Sequence, residues 1–241
     1  MPTVIKLGVP HPAAPQPNVD PVLSLGVPHP AAAPTQRHPV LSLGSPTLQR
    51  PNPTTVRSYH NTVLEESAVS LCGIQPGDPV LELGHGPGLG LEAAATLLTE
   101  PTGRLIGVDY SQYMHQMAGD RLKELVSSGK VSLYQCDVAA MPLAESMVDK
   151  VFHCNCYYYW PDLRKGAAEI HRVMKPGGVM GTTLRLSSVA SFASRSEFPA
   201  ENWQPKAYME ALRASGFNQV TMEDQQHKHI TYQAIYDTAE K

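Results

Sequence analysis

Eleven residues, Val80 to Gly90, constrain this chain more than any other stretch. Val80-Leu81-Glu82-Leu83 reads as a short buried strand. Gly84-His85-Gly86-Pro87-Gly88 reads as a tight turn, and Leu91 to Leu98 as the helix that follows. Glycine tolerates positive φ and lets a ligand approach the backbone with no Cβ in the way. A strand, a glycine turn and a helix together are the common α/β device for an adenosine-containing cofactor. The next strand, Arg104 to Val108, ends in Asp109. A carboxylate there accepts hydrogen bonds from ribose hydroxyls. The same position serves a nicotinamide dinucleotide, so it points to adenosine and leaves the chemistry open.

The spacing narrows the choice. A dinucleotide loop offers its helix N-terminus to a pyrophosphate. Here Glu82 stands two residues before the first of four alternating glycines, and a carboxylate so placed suits a cationic ligand better. Glu82-x-Gly84-x-Gly86-x-Gly88 resembles motif I of class I S-adenosylmethionine-dependent methyltransferases. The resemblance covers about residues 54 to 241 and says nothing of the methyl acceptor. It implies that Glu82, Gly84, His85, Gly86 and Gly88 cradle the methionine part of the cofactor. It also implies that Asp109 and Tyr110 meet the ribose. Asp137 and Val138, after the third strand Val131 to Cys136, would meet the adenine, and Asn155 would complete the wall.

The remaining pattern fits the same family. Thr55 to Leu71 reads as a helix from its apolar spacing, and Gln112 to Val126 as another, with Ser111 as its N-cap. The fourth strand is Met147 to Cys154. It runs into Asn155-Cys156-Tyr157-Tyr158-Tyr159-Trp160-Pro161-Asp162. In an open parallel sheet, ligands lie outside the carboxyl ends of the strands. Consecutive side chains diverge, so these four aromatics are not all expected in the core. His153, Tyr157, Tyr158 and Tyr159 are the candidates for acceptor contact or proton removal. Asn155-x-x-Tyr158 departs from the Asn/Asp-Pro-Pro-Tyr/Phe motif of enzymes that methylate nucleic-acid amino groups. Leu163 to Met174 is an amphipathic helix stopped by Lys175-Pro176-Gly177-Gly178, a segment that closely resembles the one before strand five in the family. Val179 to Leu186 reads as that strand. Ser187 to Gln204 reads as a polar loop long enough to form a lid. Pro205 to Ser215 is a helix, and Asn218 to Glu223 and His229 to Ile235 are two closing strands, which in the family add a mixed hairpin. His227 and His229 fall there as surface residues.

Residues 1 to 53 differ in kind. They hold 13 of the 22 prolines and only four charged residues, Lys6, Asp20, Arg37 and Arg50. Val4-Ile5-Lys6-Leu7-Gly8 recurs at Val22 to Gly26 and Val40 to Gly44, a period of 18. Units so short and so rich in proline cannot build a core, and they read as a disordered, polyproline-like tail. The formal net charge of −3 over 241 residues argues against a broad nucleic-acid-binding face. No apolar run approaches the roughly 20 residues that span a bilayer. No signal-peptide pattern opens the chain, so a cytoplasmic location is expected. The cysteines Cys72, Cys136, Cys154 and Cys156 form no paired ligand framework, and no metal is expected.

The expected architecture is one doubly wound α/β domain over residues 54 to 241, with a mostly parallel seven-stranded sheet, behind a tail of residues 1 to 53. The expected reaction is methyl transfer from S-adenosylmethionine to a small or medium acceptor. A nicotinamide-dependent oxidoreductase and a non-catalytic binding protein on the same fold are the alternatives.

Overall fold

Short apolar runs bounded by glycine and proline become the strands of one sheet in a computed structural model that describes residues 53–195 and 202–240. The strands are β1 Pro79–Leu83, β2 Arg104–Asp109, β3 Val131–Gln135, β4 Val148–Cys154, β5 Met174–Leu184, β6 Phe217–His227 and β7 Ile230–Ala239. Their order is β3-β2-β1-β4-β5-β7-β6. The first five pair in parallel, and β7 runs antiparallel to both β5 and β6. The doubly wound, mostly parallel sheet expected from the sequence is thus present. The reading of the proline repeats lies outside the described residues, except that Pro53 opens a helix.

Among the described residues, seven α-helices accompany the sheet: α1 Pro53–Leu71, α2 Leu89–Ala95, α3 Gln112–Arg121, α4 Lys123–Ser127, α5 Leu163–Val173, α6 Leu186–Ala193 and α7 Pro205–Ala214. The central strands are covered on both faces, which is why β1 and β4 carry almost no exposed residue. The chain winds outward from β1 to β3, then returns to place β4 on the other side of β1. That reversal opens a crevice at the carboxyl ends of β1 and β4.

Four local expectations are corrected. The helix expected over Gln112 to Val126 breaks at Leu122, which has left helical geometry and buries its side chain beside Leu91 and Val131. Lys175 to Gly178 does not separate a helix from a strand. β5 begins at Met174, and these residues bulge out between the Val148–Met174 and Lys150–Val179 pairs. Lys175 Nζ bridges the bulge to Asp149 Oδ2 at 2.7 Å. The expected loop from Ser187 begins instead as α6, because Val189 is buried while its serine neighbours stay on the outer side. The closing hairpin is longer than its apolar pattern. Ladder bonding continues through polar Asp224 to His227, where edge strand β6 needs no buried side chains.

α1 is held on the sheet by close backbone approach. Thr183 Oγ1 donates to Leu64 O at 2.9 Å, and Cys72 Sγ donates to Val151 O at 3.1 Å. Gly181 of β5 permits this. A Cβ there would lie 3.0 Å from Cys72 Sγ, 3.2 Å from Ala68 O and 3.2 Å from Leu71 Cβ. Gly181→Ala should therefore push α1 off the sheet at a cost of about 1–3 kcal/mol. Thermal melts should show a Tm lowered by roughly 2–12 °C for a chain of this size. An unchanged Tm would mean that α1 yields freely.

Candidate active site

The crevice is organised by Asp109, the last residue of β2. Its Oδ2 accepts from Gly86 N at 2.9 Å and its Oδ1 from Ser111 N at 2.8 Å. One carboxylate thereby joins the glycine turn to the start of α3. Ser111 also caps α3, its hydroxyl accepting from Met114 N at 3.3 Å. Gly84 donates to Val108 O at 2.8 Å, and the turn runs through positive φ at Gly84, Gly86 and Gly88. A Cβ on Gly84 would collide with Cys156 Sγ, whereas one on Gly86 would meet nothing within 4 Å. The turn is closed on the Cys156 side and leaves open space beside Gly86, as a ligand cradle requires.

A cavity of about 470 Å³ lies above this turn. One wall is Gly84, Asp109, Tyr110, Ser111, Asp137 and Val138. The other is Asn155, Cys156, Tyr159, Trp160 and Pro161. Asp137 is set by its own turn, accepting from Ala139 N at 2.9 Å. Asn155 leaves β4 with φ of 50°. Trp160 is fixed because Nε1 donates to Cys156 Sγ at 3.2 Å and its ring lies against Gly166, where a Cβ would come within 2.8 Å. Burial pushes the Cys156 thiol up to about 12, so it stays protonated at neutral pH and serves as wall.

Residues 80–178 match a family model described as a methyltransferase domain. Over 130 residues the chain is 34% identical to the uncharacterized methyltransferase YdaC of Bacillus subtilis, across 54% of this chain and 68% of that one. The chain belongs to the class I S-adenosylmethionine-dependent methyltransferases. The erythromycin 3''-O-methyltransferase of Saccharopolyspora erythraea is 28% identical over 176 residues, and the chain spans 56% of its length. Among solved structures, geranyl diphosphate methyltransferase in complex with SAM superposes with a TM-score of 0.61 at 17% identity. The match covers 73% of this chain and 84% of that one, and it speaks for the fold alone. The methyl donor of this methyltransferase is S-adenosylmethionine, and neither alternative reading is favoured. Among the described residues, no helix is long and apolar enough to cross a membrane.

The methyltransferase brings six of the ten residues assigned to the cofactor onto the cavity wall: Gly84, Asp109, Tyr110, Asp137, Val138 and Asn155. Gly86 and Gly88 shape the turn beneath them. His85 points into the protein, its Nδ1–H donating to Gly86 O at 2.8 Å, and burial lowers its pKa. Of the four acceptor-side candidates, Tyr159 alone lines the cavity, and it is 59% exposed. Tyr157 and Tyr158 turn into the core because the exit of β4 coils into a single 3₁₀ turn. Tyr157 stacks on Tyr208 of α7 with centroids 4.2 Å apart. His153 is fully buried, with Nε2 2.8 Å from Tyr208 Oη and 2.9 Å from Thr182 Oγ1. Burial depresses its pKa to about 3, which makes it a neutral strut of the core. Ser111, Cys156, Trp160 and Pro161 were not expected on the wall. Their place in the loops after β2 and β4 was the available signal.

Glu82 lies below the turn and not in the cavity. It is 1% exposed, and its carboxyl group faces that of Glu65 and the backbone of Leu91. A Cβ on Gly90 would lie 2.5 Å from Glu82 Oε1 and 2.9 Å from Glu65 Oε2, so α1 brings a second carboxyl to the same spot. Burial, and then the charge of Glu65, raises the pKa of Glu82 well above the carboxylate range. Burial likewise raises that of Glu65, to about 8. A raised folded-state pKa means that the native state holds protons the unfolded chain releases, so stability falls as pH rises from about 4.5 toward 8. The Tm should accordingly be lower at pH 8 than at pH 6. Glu65→Gln, which leaves one carboxyl at the site, should shrink that difference. Equal pH slopes for variant and wild type would show that the pair does not share a proton.

Proposed function

We propose that the methyltransferase acts on a small or medium acceptor that enters beside Tyr159, Trp160 and Pro161. The observation that carries this reading is the shared cavity, in which those residues face the Gly84–Asp109–Asp137 wall across one space. In this reading, the adenosine end lies over β2 and β3. Asp109 receives the ribose hydroxyls through lone pairs not used by Gly86 and Ser111, and Asp137 and Val138 flank the adenine. Gly84, the open side of Gly86 and Asn155 hold the methionine end.

The bound cofactor supplies a methyl group already activated by a sulfonium, which needs no further activation by the protein. The chain's own part is to align the acceptor with that group and keep water out. Tyr159 covers the opening, while Trp160 and Pro161 give the acceptor an apolar surface to lie on. We assign no general base, because His153, Tyr157 and Tyr158 are enclosed away from the cavity.

Calorimetry and a methyl-transfer assay test both halves. Asp109→Ala should weaken S-adenosylmethionine and its demethylated product alike, by about 1.5–3 kcal/mol, or roughly ten- to hundredfold. Tyr159→Ala should leave cofactor affinity near wild type. It should lower kcat/KM with the acceptor found by screening candidates against a labelled methyl donor. If Tyr159→Ala weakens the cofactor as much as Asp109→Ala does, Tyr159 belongs to the cofactor wall and the acceptor assignment fails.

A further inference from the structure

Three segments distant in sequence meet at the carboxyl edge of the sheet, beyond the cavity. They are the first half of α1, the residue after β5 and the β6–β7 turn. All bring cations. Arg185 follows β5 directly, and its backbone N–H donates to Asn155 Oδ1 at 3.3 Å, so it is rooted on a cavity-lining side chain. Its Nη1 lies 2.7 Å from His60 Nδ1. A guanidinium only donates, so Nδ1 is the acceptor and the imidazole proton sits on Nε2, where it is a donor in turn. The His229 ring is 6.3 Å from that of His60 and 6.5 Å from that of Tyr59. Lys228 Nζ lies 3.3 Å from Tyr59 Oη.

Among the described residues, no carboxylate pairs with Arg185 or Lys228. Within the same set, Arg185 Nε is buried with no hydrogen-bond partner. A buried donor left unmade costs on the order of 1–3 kcal/mol, more when it is charged. Burial and the like charges of Arg185 and His229 hold the His60 pKa below its ordinary value, and no carboxylate offsets them. The nearby acid, Asp224, is engaged by Gln233 Nε2 at 2.8 Å, and Gln233 Oε1 accepts from Leu186 N. α6 begins at Leu186, so the positive end of its dipole adds to the same field.

We infer that the methyl acceptor carries an oxyanion, a carboxylate or a phosphate, and that this group docks on Arg185, His60 and His229. The inference rests on the methyl-transfer reading above and names the acceptor class for it. Arginine's planar fork fits two oxygens of such a group, and the two imidazoles flank it with further N–H donors. The cofactor's own methionine carboxylate is the other source of an oxyanion. Sheet order argues against it. Gly84 follows β1, whereas Arg185 follows β5, with β4 between them. Neighbouring strands lie about 4.8 Å apart, which sets the backbone of Arg185 about 10 Å from the turn, on the far side of β4.

Side-chain NMR of the histidines in the full chain tests this, with inorganic phosphate and acetate as probes in the presence of saturating demethylated cofactor. His60 and His229 resonances should move along a saturable curve. Arg185→Gln should weaken the phosphate response roughly tenfold or more, while calorimetry finds cofactor affinity within about twofold of wild type. His229→Ala, an exposed position, should weaken it less and serves as the second variant should Arg185→Gln fold poorly. In the acceptor screen, compounds bearing a carboxylate or phosphate should be methylated, with Arg185→Gln raising KM far more than it lowers kcat. Three results would overturn the inference. One is no saturable shift in wild type. Another is an unchanged phosphate response in both variants, meaning an adventitious ion only. The third is a loss of cofactor affinity in Arg185→Gln as large as the loss of phosphate, meaning that the corner holds the methionine carboxylate. If wild type binds no cofactor, the methyl-transfer reading fails by itself. The same titration on the cofactor-free chain then decides whether the corner takes an oxyanion.

Discussion

Two short hydrogen bonds to one carboxylate fix the geometry on which the site depends. Asp109 accepts from Gly86 in the turn after β1 and from Ser111 at the head of α3. Charge-assisted bonds to backbone amides are among the stronger ones a fold can make, and these join three elements at one point. Three glycines of the turn occupy left-handed geometry, and backbone bonds from Gly84 and His85 to Val108 O hold its first half. Asp109 tethers Gly86 beyond it. The same tether orients α3 and places Tyr110 and Ser111 on the cavity wall. Asp109 is therefore a structural clamp before any ligand arrives.

The cavity wall built from β1, β2 and β3 was largely legible in the sequence, and the reason is local. A strand, a glycine turn and an acid at the end of the next strand dictate one another's positions through neighbouring backbone. Ser111 as N-cap follows from the same short-range logic. The wall built from the loop after β4 was less legible because it depends on contacts across long stretches of chain. Whether Tyr157 faces solvent or core is decided by Tyr208, about fifty residues later, whose ring stacks on it nearly parallel. Nothing within the Tyr-Tyr-Tyr-Trp run marks which ring turns inward. Glu65 shows the same limit. Its helical periodicity was readable, but its meeting with Glu82 over Gly90 is a tertiary event.

Polar composition misled in two places, each for a physical reason. β6 carries exposed residues along most of its length because an edge strand is stabilised by its ladder with β7 and not by burial. The serine-rich start of α6 reads as loop, yet a single buried Val189 and its neighbours give the helix enough of an apolar side to dock. The bulge at Lys175 to Gly178 is the converse case. Residues that ordinarily end an element are here absorbed within β5, because Met174 pairs with Val148 before the excursion and Val179 with Lys150 after it.

The stacking of Tyr157 on Tyr208, with His153 and Thr182 bonded to the same phenol, carries a mutational consequence. The inner face of the loop after β4 is bound into the core that β5 and α7 share, so a change there is felt first as lost folding. Tyr159, on the outer face of the same turn, is exposed, as are Lys228 and His229 of the β6–β7 turn. Substitutions at these rim positions therefore cost the fold less than substitutions in the aromatic pillar behind them.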